Sequence, residues 1–527
     1  HMFRLITLSL FSAVLFFISW PPITQFTFLI FIAFVPLFIL ESYLLSKKIS
    51  FKQYYIFIYT AFFFFNLFTT FWVKNAHLGG AIFAIFCNSF FMAGIFFAYI
   101  KLKSFLKWRN TFFILPVFWI GFEYLHLNWD LSWPWLTLGN IFSAQPAWVQ
   151  WYSWTGTLGG TLWVFIVNML FFSLYNAIPQ KRFKSFLLVF FSIITPMIIS
   201  HFLYKKATSL TSHESIDVLV VQPNINPYTE KFTLSQRSQM DMLLNLISPQ
   251  INQNLDFIIM PETFLSSPLW QHKFDTYSSI NNFKSLNKTF PNLNIIVGAV
   301  TFSLSEKGPR SKPMSSQPNQ WYKVYNSALH ITENSIDVYN KAKLVPGAEQ
   351  MPFQNFLYPI LGDQILTIGS STALGNFAIQ DTAAVFSSSN SIRIAPAICY
   401  ESIYGDYMRK FIQKGAQVIF IITNDGWWKK TSGYQQHSMY AQLRAIETRR
   451  YIARSANTGV SSIINQLGEI QKSIPWDKEG VISYEVPLYN QKTFYVRHGD
   501  FLGRLASFFS ILILLCSFVI KKLEIKI

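Results

Sequence analysis

Charge is scarce in this sequence: 13% of its 527 residues are charged and 51% are hydrophobic, which excludes a wholly soluble chain. Cysteine is scarcer still. Of the three present, Cys87 and Cys516 lie inside apolar runs, so no disulfide framework is expected and Cys399 is left an unpaired thiol. Acidic residues are outnumbered 26 to 43, giving a net charge of +17. That excess does not signal nucleic acid, because no nucleic-acid motif accompanies it and the basic residues collect at the ends of apolar segments. No cluster has metal-ligand spacing, no glycine-rich loop reads as a phosphate cradle, and no internal repeat is present. Neither a metal nor a cofactor is expected.

What the chain has in abundance is long apolar stretches. Eight are long enough to cross a hydrocarbon core roughly 30 Å thick, near residues 3–20, 24–41, 53–72, 79–100, 111–128, 157–177, 184–204 and 501–520. Basic residues mark alternate loops and termini: Arg4; Lys47, Lys48 and Lys52; Lys101, Lys103, Lys107 and Arg109; Lys181, Arg182 and Lys184; Lys521, Lys522 and Lys526. The intervening short loops hold almost none, apart from Lys74. This alternation predicts cytoplasmic termini and puts the polar region between the seventh and eighth stretches on the opposite face. His1 reads as a cloning remnant. The first stretch lacks a small-residue cleavage site and runs into Trp20-Pro-Pro, so it is expected to stay as an anchor. The expected organisation is a membrane domain of seven transmembrane helices over 1–206, one globular domain over 207–497, and a C-terminal transmembrane helix with its tail over 498–527.

The polar region has short β-branched runs that predict strands at Ile216–Gln222, Phe257–Met260, Asn294–Thr301, Asn326–Ile331, Ser335–Tyr339, Arg393–Ile398, Val418–Ile422 and Gly459–Ile464. Helices are predicted at Thr233–Ile247, Tyr404–Lys414 and His437–Tyr451. Their alternation points to layered α/β packing. The stretch from Ser305 to Gln320 reads as a loop insertion.

Three phrases carry chemistry. Cys399 sits where a buried strand gives way to a helix, so backbone N–H groups are aimed at the sulfur or at an oxyanion beside it. Glu262, after a buried strand and Pro261, is expected to be partly desolvated and raised toward the pKa of a general base. Lys341 offers positive charge for a tetrahedral intermediate. Taken singly, each has an ordinary structural reading: a small buried hydrophobe, a turn residue, and half of a surface Lys341/Lys343 pair.

Their contexts change the balance. Met260-Pro-Glu, Tyr339-Asn-Lys-Ala-Lys-Leu-Val-Pro and Ile398-Cys-Tyr-Glu, in that order, resemble the three motifs of the nitrilase superfamily. More narrowly, Val221-Gln-Pro-Asn-Ile, Thr423-Asn-Asp-Gly-Trp-Trp, Gln442-Leu-Arg-Ala-Ile-Glu, Arg454-Ser-Ala-Asn-Thr-Gly and Tyr495-Val-Arg-His-Gly-Asp resemble the apolipoprotein N-acyltransferases, as does Trp133-Pro-Trp-Leu-Thr-Leu-Gly with Glu123 and Trp72. The resemblance implies a multi-span α-helical membrane domain plus an α/β nitrilase-like αββα sandwich. It implies a ping-pong transfer at the outer face of the cytoplasmic (inner) membrane. Cys399 would take an acyl chain from a phospholipid, with phosphatidylethanolamine the expected donor, and pass it to the α-amine of the diacylglyceryl-cysteine of an apolipoprotein. Glu262 would be the base and Lys341 the oxyanion partner, with Glu349, Tyr400 and Glu401 in support. Two departures stand out: Gly347-Ala348 where the family has Phe-Gly, and Phe232 where it has Trp.

Other residues have rival readings. His437 suggests a Cys/His dyad or a capping residue, and Glu123 an intramembrane functional acid or a structural partner. Trp133, Trp135, Trp427 and Trp428 suggest an acyl-chain entry, although an interfacial aromatic belt explains the first pair equally well. A membrane-anchored nitrilase-type amidase would keep the triad without needing a lipid-facing opening. A ligand-binding transporter or receptor would need neither.

Overall fold

The computed structural model describes residues 2–47, 50–106, 111–212, 214–231, 233–317, 319–350, 352–353, 356, 359–360 and 377–524. Lys48, Lys107, Arg109, Phe232 and Lys526 lie outside these. The chain forms two compact units, one of residues 1–74, 78–206 and 498–527, the other of 75–77 and 207–497.

Among the described residues, six helices are long and apolar enough to cross a membrane: Met2–Ser19, Phe51–Asn75, Leu78–Leu106, Thr157–Tyr175, Pro179–Thr208 and Phe501–Lys522. The other two predicted stretches are interrupted. The first of them breaks into a 3-10 turn, Thr27–Ile32, and a helix, Val35–Lys47, that restarts with Pro36 in its first turn, where a missing N–H is harmless. Backbone freed by such a break needs partners in an apolar setting. Asn168 supplies them, its Oδ1 accepting from Phe34 N at 2.8 Å and its Nδ2 donating to Ile30 O at 2.8 Å. The second gives only the helix Ile114–His126. Near its end Glu123 accepts from Trp119 Nε1 at 3.1 Å, Leu138 N at 2.8 Å and Thr161 Oγ1 at 2.6 Å. With its donors drawn from its own helix, the Trp-Pro-Trp loop and the helix Thr157–Tyr175, Glu123 ties the loop down through Leu138 N, and its tryptophan partner, Trp119, lies on its own helix.

In the second unit, apolar runs buried on both faces make sheet interiors. Among the described residues the strands are β1 Ser215–Gln222, β2 Phe257–Ile259, β3 Leu265–Trp270, β4 Asn294–Ser305, β5 Ser311–Pro313, β6 Trp321–Ile331, β7 Ile336–Asn340, β8 Phe386–Ser387, β9 Arg393–Ile398, β10 Val418–Thr423, β11 Ile452–Ala456, β12 Ser461–Ile464, β13 Ile470–Ile474 and β14 Gly480–Pro487. One sheet runs β14-β1-β2-β4-β6-β5, with β3 on β4 and β7 on β6; the other runs β13-β12-β11-β10-β9-β8. The helices Gln236–Ile247 and Ser278–Thr289 cover the first sheet, Met240, Leu243, Ile280 and Phe283 packing with Leu219, Ile258, Ile295 and Val297. Its other face meets the second sheet, where Phe257 and Phe420 stack edge to face at 5.3 Å. The helices Gly405–Gln413 and Ser432–Thr448 complete an αββα sandwich. Within each sheet the central strands are parallel, β1 to β2 to β4 and β9 to β10 to β11. Their carboxyl ends are therefore where a site is to be sought.

Two local expectations need correction. The stretch Ser305–Gln320 is not simply a loop, because β5 forms within it and pairs with β6. His437 does not open its helix. That helix starts at Ser432, where Thr431 Oγ1 caps Gly433 N at 3.3 Å, and His437 sits fully buried inside it.

Candidate active site

The turn after β2 carries Glu262, and the next residue, Thr263, adopts a left-handed φ of 50°. The turn crosses directly over Gly298 of β4, where a Cβ would lie 2.4 Å from Thr263 N and 2.6 Å from Glu262 Cα. Only glycine lets the two backbones approach so closely. Lys341 follows β7, held through its N–H to Asn326 O at 2.8 Å. Cys399 follows β9 and opens the 3-10 turn Cys399–Ile403, itself with a φ of 49°. A cysteine in that conformation is strained, which is a feature typical of functional turns.

The polar side chains of these turns converge. Lys341 Nζ donates to Glu262 Oε1 at 3.1 Å and to Glu349 Oε1 at 2.9 Å. Asn326 Nδ2 bridges the same two oxygens at 2.7 and 3.1 Å, and Asn424 N donates to Glu262 Oε2 at 3.2 Å. Glu349 also accepts from Val345 N at 2.9 Å. The departure at Gly347-Ala348 leaves this turn intact, with Gly347 at a φ of 78° and its N–H on Gln350 O at 2.8 Å. Glu401 joins the lysine loop to the cysteine turn, accepting from Ala342 N at 2.6 Å, Tyr339 Oη at 2.7 Å and Ile398 N at 2.8 Å. Tyr400 is buried and packs edge-on against Tyr404 at 5.3 Å.

Electrostatics differ from the expectation in one respect. Burial pushes the Glu262 carboxyl up, but the Lys341 charge, the Asn326 hydrogen bond and the Lys231 charge outweigh it and hold the group below the usual carboxylate range. Glu262 is thus an ionised partner of Lys341, not a carboxyl raised by desolvation. Burial alone would lower Lys341, yet Glu262, Glu349 and Cys399 hold it well above the usual lysine value. Burial and the charges of Glu262 and Asp425 push the Cys399 thiol up, against Lys341 and a hydrogen bond with Thr423. The resting site is a neutral thiol beside an ionised Glu/Lys pair. It can accept a proton from sulfur as a carbonyl carbon is attacked, while the ammonium meets the negative charge that develops.

The site also holds residues that sequence reasoning passed over. Lys231 is buried, donates to Thr263 Oγ1, and is drawn by burial to a pKa of about 8 against the pull of Glu262. Asn326 is a polar residue in an otherwise buried strand, a signal available in the sequence; Asn424 lies inside a quoted phrase. Lys231, in an irregular segment, has no such signal. His437 meets the Cys399 backbone, with Nε2 at 3.2 Å from Cys399 O. Trp427 lies beside Tyr228 at 5.5 Å and Trp428 beside His437 at 5.3 Å. Trp133 and Trp135 stack at 5.7 Å in the first unit, Trp135 lying 4.8 Å from Trp72.

Against known families, residues 218–492 match the carbon-nitrogen hydrolase model. The chain belongs to the carbon-nitrogen hydrolase family. Residues 12–170 separately match the apolipoprotein N-acyltransferase N-terminal domain. Curated relatives named apolipoprotein N-acyltransferase match along most of their length. The protein of Chlorobaculum tepidum is 29% identical over 83% of this chain and 82% of its own. That of Rickettsia prowazekii is 29% identical over 82% of each. The apolipoprotein N-acyltransferase 1 of Treponema denticola is 26% identical over 98% of this chain and 96% of its own.

Proposed function

We propose that this multi-pass membrane protein is an apolipoprotein N-acyltransferase working through Glu262, Lys341 and Cys399. The observation that carries the residue assignment is the shared Glu262–Lys341–Glu349 network beside a cysteine in a strained turn at a strand end. In the first half-reaction the Cys399 thiol proton passes to Glu262 as sulfur bonds to the acyl carbonyl of a phospholipid ester. Lys341 faces the tetrahedral oxyanion. The ester C–O bond then breaks, Glu262 returns its proton to the departing alkoxide, and lysophospholipid leaves a Cys399 thioester. In the second, the neutral α-amine of a diacylglyceryl-cysteine attacks that thioester, the C–S bond breaks, and the amine proton returns to sulfur by way of Glu262. Glu349 keeps Lys341 charged, and Glu401 ties the lysine loop to the cysteine turn, with Tyr400 directly after the nucleophile.

In this reading residues 1–206 cross the cytoplasmic membrane seven times, two of the crossings by the interrupted stretches, residues 498–527 cross it once, and 207–497 lie on the periplasmic side. The alternation of basic loops supports that orientation. Phosphatidylethanolamine is the donor proposed. The test uses full-length protein in lipid micelles: the adduct formed on phosphatidylethanolamine persists alone, discharges onto a diacylated lipopeptide with a free α-amine, and stays when that amine is blocked. Hydrolysis of small amides with no discharge to the lipopeptide would favour the amidase.

A further inference from the structure

Beneath the cysteine turn lies a group of charged side chains that the acyl-transfer steps do not use. Asp425, His437 and Arg454 are each completely buried. Asp425 Oδ1 is 2.9 Å from His437 Nδ1 and accepts from Thr423 Oγ1 at 3.0 Å, while Oδ2 accepts from Arg454 NH2 at 2.8 Å. Arg454 NH2 also lies 2.9 Å from His437 Nδ1. On the other edge of the ring, His437 Nε2 is 3.2 Å from Cys399 O and 3.1 Å from Ser402 Oγ, and Ser402 Oγ donates to Cys399 O at 2.7 Å. Trp428 packs edge-on against the ring.

The tautomer follows from what these partners accept and donate. A carbonyl oxygen only accepts, so the contact to Cys399 O requires a proton on Nε2. At Nδ1 a carboxylate can only accept and a guanidinium can only donate; whether Nδ1 carries a proton for Asp425 or a lone pair for Arg454, Nε2 keeps its own. His437 is therefore a donor to the Cys399 carbonyl in either charge state. An Nε2 so engaged is not a base for the thiol, which removes the Cys/His dyad.

The Cys399 carbonyl belongs to the same planar peptide unit as the Tyr400 N–H, and in a trans peptide the two point in opposite directions. Two donors on the carbonyl fix the plane of that unit and draw electron density toward oxygen, which strengthens the N–H as a donor. A backbone N–H just after a nucleophile, fixed before reaction, is the kind of group that stabilises a tetrahedral oxyanion.

We propose that His437, held by Asp425 and Arg454, is a positioning residue that orients and polarises the Cys399–Tyr400 peptide so that its N–H serves the oxyanion. The inference rests on Cys399 being the acylated nucleophile. It separates two reactions of one thiol: acylation passes through an oxyanion, whereas alkylation by iodoacetamide does not. Full-length wild type, His437→Phe and His437→Gln are compared by intact mass for the rate of acylation from phosphatidylethanolamine and the rate of iodoacetamide labelling of Cys399. Loss of one oxyanion donor costs on the order of a hundredfold or more in rate, so a misaligned one should cost His437→Phe on the order of tenfold to a hundredfold in acylation, with labelling within about twofold of wild type. His437→Gln, which retains an N–H donor, should recover part of the loss. A parallel fall in both rates, or no fall in acylation, overturns the inference. If His437→Phe does not fold, Asp425→Asn carries the same comparison with the same outcomes. Wild type that labels but never acylates would instead overturn the assignment of Cys399, and this inference with it.

Discussion

Replacing Lys231 with methionine should make the protein more stable and less active. Lys231 is 6% exposed, and burial brings its ammonium to a pKa of about 8 even with Glu262 nearby. An unfolded lysine titrates near 10.4, so between about 8 and 10.4 the unfolded chain binds more protons and stability rises with pH. Below about 8 the charged folded form carries the whole penalty, on the order of 3 kcal/mol at about 1.4 kcal/mol per pH unit. Methionine keeps the length and removes the charge. It forfeits the hydrogen bond to Thr263, a loss of about 1 kcal/mol. The net gain at pH 7 is roughly 2 kcal/mol, or about 4–8 °C in Tm for a domain of this size, and it should shrink to near zero by about pH 10 as the wild-type amine loses its proton. Activity should fall, since Lys231 is one of the cations that hold Glu262 ionised. The measurement is thermal unfolding of the full-length protein in detergent at both pH values, beside acylation rates. A Lys231→Met protein that melts below wild type at pH 7, or a difference that does not change with pH, would refute the argument.

Two further outcomes follow from the site. Because Glu262 is held below the ordinary carboxylate range, its ionised form and the stability it contributes are both present above about pH 4.3 and are lost only as pH falls through its lowered folded value; the acylation rate should stay level from about pH 5 to 7, and an acid limb near pH 6 would contradict this. Gly298→Ala places a Cβ 2.4 Å from Thr263 N, against backbone that has nowhere to go, and should displace Glu262 enough to lower acylation about a hundredfold; a near-wild-type rate would show that the turn relaxes.

Much of the catalytic unit was legible because its central strands are buried on both faces. Runs such as Val418–Ile422 and Ile216–Val221 have no other reading at that length, and the three turns that follow β2, β7 and β9 carry the motif residues. The edge strands β5, β8, β13 and β14 were missed, and so were β3 and the central strand β11, whose Ile452–Ala456 is buried throughout but interrupts its apolar run with Arg454 and Ser455. Phe386–Ser387 is two residues long and Ile470–Ile474 is largely exposed, so neither shows a strong apolar period. The helix Ser278–Thr289 escaped because its polar face outweighs the few apolar residues, Ile280 and Phe283, that bury it. In the membrane unit an apolar run does not reveal a break whose backbone is satisfied from elsewhere, as Asn168 does for Ile30 and Phe34. The direction of the Glu262 shift was misjudged for a related reason. Desolvation can be read from a neighbouring buried strand, but the donors meeting on one carboxylate, Lys341, Asn326 and Asn424, and the added charge of Lys231 come from four separate segments.

In the proposed cycle Cys399 carries the acyl chain between donor and acceptor. The most direct test is the intact mass of full-length protein after incubation with phosphatidylethanolamine and no acceptor. Wild type should gain the mass of one acyl group less a proton, at Cys399 and removable by hydroxylamine, and Cys399→Ala should gain nothing. An adduct that persists in Cys399→Ala, or active wild-type protein that transfers acyl chains without ever carrying one, would contradict the claim.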